Sequence, residues 1–122
     1  MPIKYKLMMS DKVRTLAYKK AIFECVRKND CVADVGTGLG ILALFAAEKG
    51  ARKVYALERM SDLMKHAEKV TVRNKFKDKI VFINGLSTEI NLPEKADVIV
   101  SETLGTMAIF RGPMRSRKKP EK

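Results

Sequence analysis

The chain has 122 residues, of which 46% are apolar and 32% charged, so it is long enough for one domain and too short for two ordinary ones. Four prolines and seven glycines among plentiful aliphatic residues exclude a disordered or collagen-like chain. The longest apolar stretch covers residues 39–47, about half the length of a membrane-spanning helix. The first ten residues also lack the pattern of a signal peptide. We therefore expect a cytoplasmic protein without membrane association.

The charge of the chain is strongly basic and unevenly placed. The formal net charge is +11, which favours contact with RNA or with acidic protein surfaces. Residues 111–122 are rich in Lys and Arg and contain two prolines, so we predict a flexible basic tail after a domain over residues 1–110. A solvated chain end and an RNA-binding arm explain this tail equally well. Cys25, Cys31 and the single His66 are too few for a disulfide framework or a zinc site, and we predict no metal.

Helical and strand patterns alternate along the chain. Apolar residues at helical spacing predict a first helix over residues 11–28, with Asp11 as its N-cap. Short apolar runs then predict four strands, and the segments between the first three of them are predicted helices. Such alternation implies parallel strands joined by right-handed crossovers, hence an α/β fold with a Rossmann-like, doubly wound sheet and helices on both faces. The strands are predicted at residues 31–35, 53–57, 80–83 and 97–101, and the later helices at residues 41–49 and 61–74.

A glycine-rich loop directly after the first strand is the predicted ligand-binding motif. Gly36 and Gly38 allow the backbone to turn tightly and to approach a ligand, and the helix that follows offers unpaired N–H groups. Glu58 ends the second strand, where an acid can accept both hydroxyls of a ribose. The spacing GxGxG, with Asp34 two residues before the first glycine, differs from the dinucleotide fingerprint GxGxxG. It favours S-adenosylmethionine over NAD, because Asp34 could hold the ammonium group of that cofactor through backbone or water.

Five blocks in order resemble one known family, the protein arginine N-methyltransferases. They are DKVRTLAY at residues 11–18, ADVGTGLGIL at 33–42, KVYALE at 53–58, LPEKADVIVSE at 92–102 and Leu104-Gly105. The resemblance covers residues 5–110, the cofactor-binding core, without the β-barrel of that family. It implies a class I methyltransferase fold with an N-terminal helix, a truncated sheet of order 3-2-1-4, and an enzyme that converts S-adenosylmethionine to S-adenosylhomocysteine.

The resemblance also implies roles for individual residues. Arg14 matches the arginine that holds the cofactor carboxylate, and Met8 the methionine near the sulfonium. Glu102 follows the fourth strand and matches the first of two glutamates that grip the substrate guanidinium, which makes it the candidate catalytic residue. The other cofactor-binding positions that it implies are Gly36, Gly38, Glu58, Ser87 and Thr88.

Two departures from the family pattern leave the acceptor open. Nine residues after Glu102, where the family has its second glutamate, this chain has Arg111. The fourth strand also lacks its usual neighbour, and an open edge of that kind predicts a homodimer or association with a larger partner. Three hypotheses remain: methyl transfer to an undetermined acceptor such as a protein side chain, a cofactor-binding regulatory subunit without catalysis, and an RNA-associated methyltransferase component that binds through the basic tail.

Overall fold

The computed structural model describes residues 2–37, 40–73, 75–85, 92–103 and 106–112. The predicted alternation of helices and strands is present, with a short 3-10 turn at Lys77–Lys79 before the third strand. The tail over residues 113–122 lies outside the described residues. The elements are α1 Pro2–Cys25, β1 Cys31–Val35, α2 Ile41–Lys49, β2 Lys53–Glu58, α3 Ser61–Val72, β3 Ile80–Asn84, β4 Val98–Thr103 and β5 Thr106–Arg111.

The sheet has five strands in the order β3-β2-β1-β4-β5. The first four are parallel, which confirms the α/β class and the order 3-2-1-4. The fifth strand was not predicted: β5 pairs antiparallel with β4 from Val98↔Arg111 to Thr103↔Thr106. The prediction that β4 has an open edge is therefore wrong, because β5 occupies it. Alternation of partly buried Met107 and Ile109 with exposed Ala108 and Phe110 is the local signal for this strand.

All three helices of the described residues lie on one face of the sheet, which we call the covered face. Residues at alternate strand positions, such as Val32 and Asp34 of β1, point to it. A Cβ placed on Gly40 would lie 3.2 Å from Ala67 of α3 and 4.0 Å from Phe82 of β3, so α3 shares this face with α1 and α2. The core here comprises Ile22, Val26, Val32, Leu42, Ala43, Ala46, Ala47, Ala51, Val54, Ala56, Ile80, Val98 and Val100.

The opposite face, which we call the open face, is covered much less. Cys31, Tyr55 and Leu57 form a small second core there, whereas Ile99 is 41% exposed and Phe110 62% exposed. The prediction of helices on both faces is thus met on one face only within the described residues. A cavity of about 620 Å³ on the open face is lined by Ala33, Val35, Leu57, Leu92, Pro93, Glu94, Lys95, Ala96 and Ile99.

Helix α1 begins nine residues earlier than the sequence pattern indicated, so Asp11 lies inside the helix rather than at its N-cap. Pro2 occupies its first position, which suits a residue without a backbone N–H. At its other end, Lys49 Nζ donates hydrogen bonds to the carbonyl oxygens of Phe23 (2.6 Å) and Val26 (2.5 Å), which satisfies carbonyls that a helix end leaves unpaired. No described helix, α1 included, has the length and apolar content that a membrane span needs.

Arg111 lies at the amino edge of the sheet, far from the position that the family pattern suggested. Its guanidinium makes a two-pronged ion pair with Asp30, at 2.6 and 3.0 Å, and donates to the carbonyl of Cys25 at 3.2 Å. Because Arg111 pairs with Val98 and not with Glu102, about four residues or 13 Å of strand separate it from Glu102. Arg111 therefore does not lie beside Glu102, where it would repel a cation held by that residue.

Removal of one partner of the Asp30–Arg111 pair should destabilise the fold strongly. The side chain of Asp30 is 2% exposed and that of Arg111 15%, so Arg111→Met leaves a buried carboxylate without its cation. We expect this variant to lower the free energy of unfolding by about 3 to 5 kcal/mol, measured by urea denaturation.

A matched control is Arg52→Met, which removes the cation of the ion pair with Glu94, where the side chains are 49% and 33% exposed. Solvent screens that pair, so the loss should stay at or below about 1 kcal/mol. Equal losses in the two variants would contradict a special role for the Arg111 pair.

Candidate functional site

The loop after β1 turns the chain into α2 at the carboxyl edge of the sheet. Gly36 has a φ of 71° and Gly40 a φ of 85°, values in the left-handed region where glycine is favoured. A Cβ on Gly36 would meet no atom within 4 Å, so this position borders open space. The backbone N–H of Thr37 donates to the carbonyl of Leu57 at 2.8 Å, which ties the loop to the end of β2.

Strand register brings three carboxylates to one face of this edge. Asp34 of β1 pairs with Ala56 of β2 and with Val100 of β4. Glu58 and Glu102 each stand two residues beyond those partners, and side chains two residues apart in a strand share a face. Asp34, Glu58 and Glu102 therefore all point to the covered face at its carboxyl edge, which is where ligands of open α/β sheets bind.

Asp34 is the most deeply buried of the three acids, at 1% exposure. Its Oδ2 accepts a hydrogen bond from the Thr37 hydroxyl at 2.6 Å, whereas Oδ1 is buried and accepts none from the described residues. Burial, together with the charges of Glu102 and Glu58, raises the pKa of Asp34 to about 7, against the lowering effect of the Thr37 hydroxyl and the Ala43 N–H. No pattern in the sequence indicates this role of Thr37.

Glu58 is held at the end of β2 by contacts from three neighbours. Its Oε2 accepts a hydrogen bond from the N–H of Met60 at 3.1 Å. Its backbone carbonyl accepts from Asn84 Nδ2 at 2.8 Å and from the N–H of Gly85 at 3.0 Å. The residue is 7% exposed, so its carboxylate has a fixed place beside the loop.

Glu102 is the exposed member of the three. It lies near the end of β4 and pairs across the hairpin with Met107. Its charge reaches Asp34 strongly enough to act on that residue's pKa, so it lies close to the same site while remaining open to solvent. Glu102 is therefore accessible from solvent, whereas Asp34 is not.

The remaining predicted site residues are only partly described. Arg14 lies on α1, where its side chain is half-buried. Met8 also belongs to α1, but its side chain lies outside the description, as do Gly38, Ser87 and Thr88. The structure thus brings Asp34, Gly36, Glu58 and Glu102 together at one edge, and the cofactor contacts predicted for these and for the other positions remain predictions.

Two other features of the described residues lie apart from this edge. The cavity on the open face is lined by Val35 and Leu57, whose side chains point away from the three carboxylates. Cys31 is a buried thiol at the amino edge, and burial raises its pKa to about 11, so it is not a nucleophile at neutral pH. Among the described residues, no group of three or more His, Cys, Asp or Glu is arranged to hold a metal ion.

The sequence of this chain matches a known family over most of its length. The family model of ribosomal protein L11 methyltransferase (PrmA) matches residues 15–111. The chain belongs to this class I methyltransferase family. The match includes the glycine loop and the two glutamates at the carboxyl edge.

Curated relatives and solved structures place this methyltransferase chain near the arginine methyltransferases. Histone-arginine methyltransferase CARMER of Anopheles gambiae is 45% identical over 102 residues, which is 82% of this chain and 16% of the relative. The structure described as Arabidopsis thaliana protein arginine methyltransferase 10 has a TM-score of 0.72 and 42% identity, covering 84% of this chain and 30% of that one. The Trypanosoma brucei PRMT1 enzyme-prozyme complex with AdoHcy has a TM-score of 0.72 and 39% identity, covering 80% and 31%. The chain thus spans about a sixth of the first relative and a third of the solved structures.

The residues at this edge fit the cofactor of the methyltransferases. S-adenosylmethionine carries a sulfonium and an ammonium group, and three carboxylates on one face suit a cationic ligand. The buried Oδ1 of Asp34 accepts no hydrogen bond from the described part of the chain, and a Cβ on Gly36 would meet no atom within 4 Å, which leaves room for close approach of a ligand. The fit rests on these features of the chain and not on the family name.

Burial of Asp34 should give the ligand-free protein a distinct pH dependence. Because the pKa is raised in the folded protein, from 3.8 to about 7, the folded state holds a proton that the unfolded state loses. The stability that Asp34 contributes is therefore full below about pH 4 and is lost as the pH rises to about 7 and beyond. We expect Asp34→Asn to melt at a higher temperature than wild type at pH 8 and at a similar temperature at pH 4.5. A constant difference at all pH values would contradict the assignment.

Proposed function

We propose that the chain binds S-adenosylmethionine at the carboxyl edge of β1, β2 and β4 and supports methyl transfer to a protein side chain. The observation that carries this proposal is the convergence of Asp34, Glu58 and Glu102 on one face beside the glycine loop. When bound, the cofactor supplies an electrophilic methyl group on a sulfonium. The protein contributes chiefly position and electrostatics to such a displacement.

Each of the three acids has its own proposed task. Glu58, fixed by Met60 at the end of β2, accepts hydrogen bonds from the ribose hydroxyls. Asp34 provides negative charge beneath the glycine loop for the cationic end of the cofactor. Glu102, exposed at the mouth of the site, orients a cationic acceptor such as a guanidinium. Arg14 on α1 is proposed to hold the cofactor carboxylate.

A second candidate function is a cofactor-binding subunit without catalysis. The observation in its favour is the position of Arg111: the family's second glutamate is absent, and Arg111 is engaged with Asp30 at the opposite edge. A single glutamate then faces the acceptor from the described part of β4 and β5. The Trypanosoma brucei relative is described as an enzyme-prozyme complex with AdoHcy, which supports assembly of this chain with a second polypeptide.

The open face supports the same proposal of a partner. Ile99 and Phe110 expose large apolar side chains there. Ile99 lines the cavity of about 620 Å³, and Phe110 is its partner on β5. Exposed apolar surface next to a cavity is typical of an interaction site. We therefore propose a homodimer or a larger complex formed through this face. Analytical ultracentrifugation of wild type and of Phe110→Asp compares their masses in solution, and the variant should associate less. A wild-type chain that sediments as a monomer at all concentrations would contradict the homodimer.

Cofactor binding is tested by titration calorimetry at pH 8 with S-adenosylmethionine and S-adenosylhomocysteine. Glu58→Ala should weaken binding by about 1 to 3 kcal/mol, because it removes charge-assisted hydrogen bonds to the ribose. Glu68→Ala is the matched control, since Glu68 is an exposed acid of α3 and its loss changes the net charge equally. An unchanged dissociation constant in Glu58→Ala would rule out its ribose role.

Catalysis is tested separately, with radiolabelled S-adenosylmethionine and an arginine-rich peptide as acceptor. Glu102→Gln should keep cofactor binding at pH 8 and abolish transfer, because the amide cannot orient a cation by charge. If binding and transfer fall together, Glu102 has a structural role instead. If wild type binds the cofactor and transfers nothing, the non-catalytic subunit is the better description.

A further inference from the structure

Asp34 combines two features that an ionised carboxylate rarely tolerates together. The residue is 1% exposed, and its buried Oδ1 accepts no hydrogen bond from the described residues. A carboxylate in a low-dielectric surrounding needs a cation or several donors to remain ionised. The Thr37 hydroxyl donates to the other oxygen, Oδ2, so this hydrogen bond does not compensate Oδ1.

The elements packed around Asp34 add negative charge to this environment. Glu58 faces it from the end of β2 and Glu102 from the end of β4. The loop contributes the Thr37 hydroxyl, and the first turn of α2 contributes the N–H of Ala43. The groups that act on Asp34 most strongly include two acids and no Lys or Arg. The free site therefore favours the neutral form of this one carboxyl group.

We propose that Asp34 carries a proton in the free protein and releases it to solvent when the cationic end of S-adenosylmethionine enters, so that cofactor binding is coupled to proton loss. The inference rests on the proposed cofactor site and states how that site is regulated. The ligand's positive charge replaces the proton as the partner of Oδ1. Binding is then weak in acid and strong above neutral pH.

The size of the effect follows from linkage. Below the pKa of the free group, each pH unit changes the affinity at most tenfold, because one proton is released per ligand bound. Above it, the affinity becomes constant. With the pKa at about 7, the dissociation constant should fall between pH 5.5 and pH 8.5 by at most about thirtyfold.

The experiment is titration calorimetry of the full chain with S-adenosylmethionine at pH values from 5.5 to 8.5, in pairs of buffers that differ in ionisation enthalpy. Wild type should release close to one proton per ligand at pH 6, and none at pH 8.5. Asp34→Asn, which resembles the protonated form in shape, should bind with wild-type affinity at pH 5.5 and with no gain at higher pH. Its buffer dependence should also disappear.

Two further variants separate Asp34 from its surroundings. Glu102→Gln alters an exposed side chain and removes a charge that opposes ionisation of Asp34, so the midpoint of the affinity curve should move to lower pH. His66→Gln is the control for the single histidine, which is exposed on α3, because histidine is the side chain that ordinarily titrates in this range. This control should leave the curve unchanged.

Binding that is independent of pH in wild type would overturn the inference and leave the proposed function intact. An equal pH dependence in wild type and Asp34→Asn would overturn it as well, since another group would then carry the proton. Loss of the pH dependence in His66→Gln would also overturn the inference, because His66 would then be the group that releases the proton. Absence of binding at every pH would overturn the proposed function itself and the inference with it. If Asp34→Asn does not fold, an unshifted midpoint in Glu102→Gln is sufficient to reject the proposal.

Discussion

In-register parallel pairing of β1 with β2 and β4 is the constraint on which the site depends. Asp34 lies beside Ala56 and Val100, and the period of two along each strand then sets Glu58 and Glu102 on the same face. A slip of one residue in either pairing would turn one of these glutamates to the open face. The buried apolar residues of the covered face fix the register, so the core and the site are determined together.

Each edge of the sheet has a buried aspartate, and the two differ in how far neighbouring groups compensate their negative charge. At the amino edge, the carboxylate of Asp30 pairs with the guanidinium of Arg111 and accepts a hydrogen bond from the N–H of Arg27. These contacts favour the ionised form of Asp30. At the carboxyl edge, the Thr37 hydroxyl and the Ala43 N–H favour ionised Asp34, and two acidic neighbours oppose it. This second arrangement disfavours the ionised form of Asp34, and a perturbed pKa of this kind is typical of groups at functional sites.

The position of Arg111 follows from the strand that carries it. In this chain, the residues after Glu102 form β5, which pairs with β4 and carries Arg111 to the partner of Val98. The hairpin closes the edge of β4 and leaves the open face with exposed Ile99 and Phe110. A partner that covers this face would complete the second layer of the sheet, a layer that the described residues supply only through residues 92–97.

Local patterns in the sequence determined the first four strands, α2, α3 and the acids that follow β1 and β2, because these features depend on near neighbours and on a period of two or 3.6 residues. These patterns did not predict β5, because a short run of alternating apolar residues forms a strand only when a neighbouring strand pairs with it. Only the tertiary structure decided the role of Arg111, whose partner Asp30 is 81 residues away in sequence. It alone also decided the state of Asp34, because burial and the acids of two other strands set the energy of its charge.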